Sequence, residues 1–101
     1  MKNRNMAVPE DRIAEFCRRH HIRKLSLFGS VLREDFRPDS DVDVLVEFDP
    51  GQVVGLRIID IEEELSRLFG GHKVHVVSEK YLNRRLRDRV LKSAEVQYAE
   101  G

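Results

Sequence analysis

Cysteine occurs once in the 101 residues, at Cys17. A single thiol excludes an intrachain disulfide, so nothing argues for an oxidising compartment and a cytoplasmic location is the default expectation. Long apolar runs are missing too: no stretch approaches the roughly 20 residues of a membrane span. The start, Met1-Lys2-Asn3-Arg4-Asn5, is basic, but no apolar segment of a secretory signal follows it. Net charge is also lacking, with 18 Lys and Arg against 18 Asp and Glu. A nucleic-acid binder usually shows a basic excess or stripe, so nucleic acid is disfavoured as a partner. Internal repeats and low-complexity tracts are absent. What remains is a 41% apolar composition, enough for one core in one small domain.

The balanced charge is unevenly spread. Residues 83 to 92 (Asn-Arg-Arg-Leu-Arg-Asp-Arg-Val-Leu-Lys) are locally basic, and 60 to 64 (Asp-Ile-Glu-Glu-Glu) are acidic. The acidic run reads as a solvated helix face, whereas the basic one suits an acidic partner or a nucleotide phosphate. Residues 1 to 8 read as a loose terminus, and 9 to 98 as the single domain. Pro9-Glu10-Asp11 begins a helix, because proline is tolerated in the first turn and acids favour the positive dipole end. Ile13, Phe16, Cys17 and His20 then form one apolar face of a helix over 9–20. Cys17 reads as a packed core thiol. No second ligand cluster supports a zinc site at Cys17, His20 and His21.

Strands are expected at 22–28, 42–48 and 73–77. A helix over 55–69 carries Ile58, Ile61, Leu65 and Leu68 on its core face and stops at Gly70-Gly71. A last helix runs from Glu79 to near Tyr98, with Leu82, Leu86, Val90 and Ala94 at steps of four. The order α-β-α-β-α-β-α places the chain in the α/β (α+β) class.

The most informative stretch is 28 to 48. Gly29-Ser30 follows the apolar run Leu25-Ser26-Leu27-Phe28, and ten residues later come Asp41 and Asp43. From Val42 to Phe48 the sequence has the period-two signature of a half-buried strand. Asp41 and Asp43 therefore share one face, with Cα atoms roughly 6.5–7 Å apart. Carboxylates at that spacing can converge on a hard cation. Gly29 lets a ligand approach the backbone, and Ser30 is a suitable N-cap for a short helix over 31–35, whose start would suit phosphate. A metal-bound triphosphate fits between turn and strand. Pro38-Asp39-Ser40 is turn chemistry, with Ser40 a local hydrogen-bonding residue and not a nucleophile.

The string Gly29-Ser30, Arg33, Pro38-Asp39-Ser40-Asp41-Val42-Asp43-Val44-Leu45-Val46 resembles the minimal nucleotidyltransferases (MNT proteins) of prokaryotes, within the superfamily that includes DNA polymerase beta. The resemblance spans most of the chain. It implies a small mixed β-sheet with helices packed against it. It implies Mg²⁺ (or Mn²⁺) held by Asp41 and Asp43, a nucleoside triphosphate gripped by Gly29 and Ser30, and transfer of a nucleotide, AMP from ATP, to a hydroxyl. For Arg33, which matches a motif arginine, both a phosphate contact and a pair with a loop carboxylate stand open. MNT proteins commonly act as antitoxins of HEPN ribonuclease toxins, some by transferring AMP to the toxin, so a HEPN-type partner and a hetero-oligomer are implied.

One position departs from the family pattern. Where the third carboxylate belongs, in Val74-His75-Val76-Val77, stands His75. Three readings follow. His75 serves as general base or as a metal ligand better suited to Mn²⁺ than to Mg²⁺; or the site binds nucleotide and turns over slowly; or catalysis is lost and the domain neutralises its partner by binding alone. His72 reads as solvated.

Overall fold

The computed structural model describes residues 2–100. Its elements are β1 (Lys2–Asn3), β2 (Met6–Ala7), α1 (Glu10–Arg19), β3 (Ile22–Phe28), a 3-10 turn (Gly29–Leu32), β4 (Val42–Phe48), α2 (Arg57–Leu68), β5 (Val74–Ser78), a second 3-10 turn (Glu79–Tyr81), α3 (Arg84–Ser93) and β6 (Glu95–Ala99). The four larger strands form one mixed sheet in the order β5-β4-β3-β6. β3 is antiparallel to both β4 and β6, and β4 is parallel to β5. That parallel pair needs a long crossover, which α2 supplies.

The principal core lies on one face of this sheet. Val42, Val44 and Val46 are fully buried, as strict alternation along β4 dictates, together with Ile13, Phe16 and Cys17 of α1 and Ile61 and Leu65 of α2. Ile58 and Leu68, expected on the same face of α2, are half-buried. Leu45 points to the opposite face of β4 yet is also buried, beside its ladder partner Ser26. Together with Val90 of α3, Leu45 is buried outside the principal cluster, so the second face of the sheet is also covered over part of its area.

Three expectations from sequence are corrected. The first eight residues are not loose over their described part: β1 and β2 pair as a short hairpin, and Met6 and Val8 enter the core. The Asn5 side-chain amide donates to the carbonyls of Val31 (2.7 Å) and Arg33 (2.9 Å), which ties this hairpin to the first 3-10 turn. The short helix expected over 31–35 is the four-residue 3-10 turn instead, with Val31 fully buried.

The last helix is the third. It begins only at Arg84, where the Asn83 side chain caps it by accepting from Leu86 N, and it ends at Ser93. Glu95–Ala99 then becomes a strand that places Val96 against Ser26 and Tyr98 against Leu25. Without it β3 would expose an unpaired edge, and satisfying that edge outweighs the helical spacing of Leu82, Leu86, Val90 and Ala94. Among the described residues, no helix is long and apolar enough to cross a membrane.

Candidate functional site

Three strand ends and one turn build the site. β3 ends at Phe28, directly opposite Asp43 in the antiparallel ladder. β4 begins beside β5 with Asp43 and His75 in register. Paired strand residues project to the same face, so Asp41, Asp43 and His75 share one side of the sheet.

The close contacts follow from that register. His75 Nε2 lies 2.9 Å from Asp41 Oδ2, with both side chains about half exposed. Gly29 has φ +74°, and a Cβ on it would lie 2.4 Å from Asp43 Oδ2. Only glycine meets both conditions. Burial, aided by the negative charge of Asp41, pushes the Asp43 carboxyl above its ordinary range, and His75 opposes the shift. A carboxylate held against its own ionisation beside a second one is stabilised by a cation placed between them.

Ser30 differs from its expected role. The N-cap position of the turn belongs to Phe28, and no side chain caps it. The Ser30 hydroxyl instead donates to the Asp41 carbonyl at 3.0 Å, stitching turn to strand. Arg33 Nε faces Asp35 Oδ1 at 3.4 Å on the exposed loop, which realises the loop-carboxylate pairing of its two readings. Ser40 plays the local part expected, its hydroxyl accepting from Arg37 N at 3.0 Å.

His72 is not solvated. Its ring stacks on Phe36 with centroids 5.0 Å apart, and Nδ1 lies 2.9 Å from the Ser40 carbonyl. Sequence reasoning passed over Phe36 and Asn5 as well. These three hold the 33–41 loop, and no local pattern connects them, because each acts across a long sequence separation.

The donor set bears on whether a metal fits. Among the described residues, no cluster of three or more His, Cys, Asp or Glu side chains is arranged to hold an ion by itself. Two half-buried carboxylates beside a glycine turn instead suit Mg²⁺, which is commonly held by one or two carboxylates and completed by substrate phosphates and water. The residues present fit such a substrate-bridging ion. An imidazole already engaged with Asp41 is a less suitable Mg²⁺ donor than a third carboxylate.

This chain belongs to the nucleotidyltransferase domain family, whose model matches residues 10–97. It is 33% identical over 76 residues to "Putative protein adenylyltransferase MJ0435" of Methanocaldococcus jannaschii, across 75% of this chain and 80% of that protein. A solved structure described as a "putative minimal nucleotidyltransferase" superposes with a TM-score of 0.70 at 38% identity, covering 84% of this chain and 85% of the other. The fold also matches a chain from the complex of tri-AMPylated Shewanella oneidensis HEPN toxin with MNT antitoxin, with a TM-score of 0.65 at 17% identity, over 89% of this chain and 69% of that one.

Proposed function

We propose that this protein is a metal-dependent adenylyltransferase that moves AMP from ATP to a hydroxyl of a partner protein, as the antitoxin of a HEPN-type toxin. The observation that carries the reading is the meeting of Asp41, Asp43 and the Gly29-Ser30 turn at one end of the sheet. The Methanocaldococcus relative and the Shewanella complex support the adenylyl donor and the toxin partner.

In this reading the acceptor oxygen bonds to the α-phosphorus of ATP. The bond from that phosphorus to the oxygen bridging to the β-phosphate breaks, and pyrophosphate leaves with the electron pair. Asp41 and Asp43 would hold Mg²⁺ or Mn²⁺, which when bound neutralises phosphate charge. Gly29, whose missing Cβ leaves room for the Asp43 carboxylate, brings the turn backbone to the polyphosphate. Ser30 holds the turn at its distance from Asp41, and Arg33 exchanges Asp35 for phosphate. His75 takes the hydroxyl proton once its Nε2 is released from Asp41. Catalysis of this kind is mostly positioning and charge stabilisation. The test is to incubate the protein with ATP, Mg²⁺ and the product of its adjacent gene, expected to be a HEPN protein, then measure that partner's intact mass. The partner gains AMP with the native chain and none with Asp41→Ala/Asp43→Ala.

A second reading, an antitoxin that acts by binding alone, is favoured by one contact: His75 occupies Asp41 where the family places a third acid. Neutralisation of the toxin's ribonuclease activity by the Asp41→Ala/Asp43→Ala chain, with no AMP increment, would select it.

A further inference from the structure

α3 is a helix without enough partners inside its own chain. Over Arg84–Ser93 it carries five cations, Arg84, Arg85, Arg87, Arg89 and Lys92, against the single acid Asp88, in a protein whose net charge is zero. None of these cations enters an ion pair among the described residues, although seven other basic side chains do: Arg4, Arg19, His20, His21, Arg23, Arg33 and His75. Arg87 Nε is shielded from solvent yet has no acceptor. A buried guanidinium N–H left unmatched is unfavourable unless a partner supplies the missing oxygen.

The apolar side of the helix is equally incomplete. Val90 is its only buried residue, while Leu86 and Leu91 stay substantially exposed, and Tyr81 just upstream is 79% exposed. Asn83, Arg85, Leu86 and Arg89 line a surface hollow of about 250 Å³. Apolar side chains framed by unpaired arginines match a protein-binding surface, in which the centre is apolar and arginine reads carboxylates at the margin.

We infer that the exposed face of α3, with Arg85, Leu86 and Arg89 at its centre, docks an acidic, apolar-cored surface of the partner protein. The inference rests on the proposed function for the partner's identity. Charge complementarity fixes the occupant's sign, and the exposed leucines select a protein: a phosphate backbone would match the arginines but leave Leu86 and Leu91 uncovered. A partner docked there brings its own acceptor hydroxyl.

Binding is measured by calorimetry between this protein and the product of its adjacent gene, expected to be a HEPN protein, without ATP or metal. Arg85→Glu/Arg89→Glu and, separately, Leu86→Ser weaken binding by about tenfold or more, and added salt weakens the native complex. Val53→Ser/Leu56→Ser, at exposed positions in the β4–α2 loop, leaves affinity unchanged. Circular dichroism confirms that the α3 variants fold. Undiminished affinity in both α3 variants overturns the inference, as does tight binding of a short single-stranded RNA that is lost in Arg85→Glu/Arg89→Glu. Because binding is read without ATP, intact α3-dependent binding with no AMP transfer would overturn only the proposed transferase activity.

Discussion

Gly29 and Asp43 are packed so closely that a methyl group on Gly29 would sit 2.4 Å from the Asp43 carboxylate oxygen. The turn and the carboxylate are therefore one unit. Gly29→Ala is expected to destabilise the fold by about 1–3 kcal/mol through its positive φ, with the collision adding to that. It should also displace Asp43. Thermal unfolding and titration with a non-hydrolysable ATP analogue check both effects, and the analogue should bind the variant more weakly.

Asp43 is held against its own ionisation. Its folded pKa lies above the ordinary 3.8 because of burial and the neighbouring Asp41, with His75 opposing. A raised carboxyl contributes stability below its unfolded pKa and loses it as pH rises through the folded value. At neutral pH and without metal, Asp43→Asn should therefore melt higher than the native chain while abolishing transfer. The difference in melting temperature should shrink as pH falls below about 4.

His75 is expected to affect rate and metal preference more than fold. His75→Ala should lower AMP transfer, and His75→Asp should preserve or raise it and shift preference from Mn²⁺ toward Mg²⁺. Rates with each metal and Mn²⁺ binding followed by electron paramagnetic resonance test this. Equal rates and equal Mn²⁺ affinity in all three proteins would leave His75 as a support for Asp41 only.

Glu64 joins the two helices behind the sheet, with one carboxylate oxygen 2.5 Å from Arg19 and the other 2.5 Å from His20. Burial pushes its pKa up, but the hydrogen bonds and charges of His20 and Arg19 outweigh that and lower it from 4.5. The sign is opposite to that of Asp43. This contribution is present above about pH 4.5 and lost as pH falls through the lower folded value. Glu64→Gln should thus be less stable at neutral pH, by a margin that narrows in acid-denaturation curves.

Cys17 has no exposed surface, and burial pushes its thiol up to about 12. Since the thiolate is the reactive form, an aromatic disulfide reagent at pH 8 should label the native protein only as fast as it unfolds, and the denatured protein at once.

The parts legible from sequence were those written in local periodicity. Val42, Val44 and Val46 declared β4, and Ile13, Phe16 and Cys17 declared the inner face of α1. The spacing of Gly29-Ser30 and Asp41-x-Asp43 foretold the juxtaposition that the β3–β4 ladder now makes. What escaped depends on distant partners. β6 is a strand because β3 lies open beside it, not because Val96 and Tyr98 outcompete a helical pattern by themselves. Ser30 gives its hydrogen bond across eleven positions to Asp41, so its preference for capping the next turn had a long-range competitor. His75 could be named as the odd residue of its motif, but its grip on Asp41 required the parallel register with β5.

The clamp from Asn5 onto the carbonyls of Val31 and Arg33 makes the β1–β2 hairpin a mechanical support for the Gly29-Ser30 end of the sheet. Trimming those first residues, or crowding them with a fused tag, would slacken the support under Gly29 and Ser30 without touching Asp41, Asp43 or His75. A preparation altered there would mimic an active-site lesion while its aspartates remained in place.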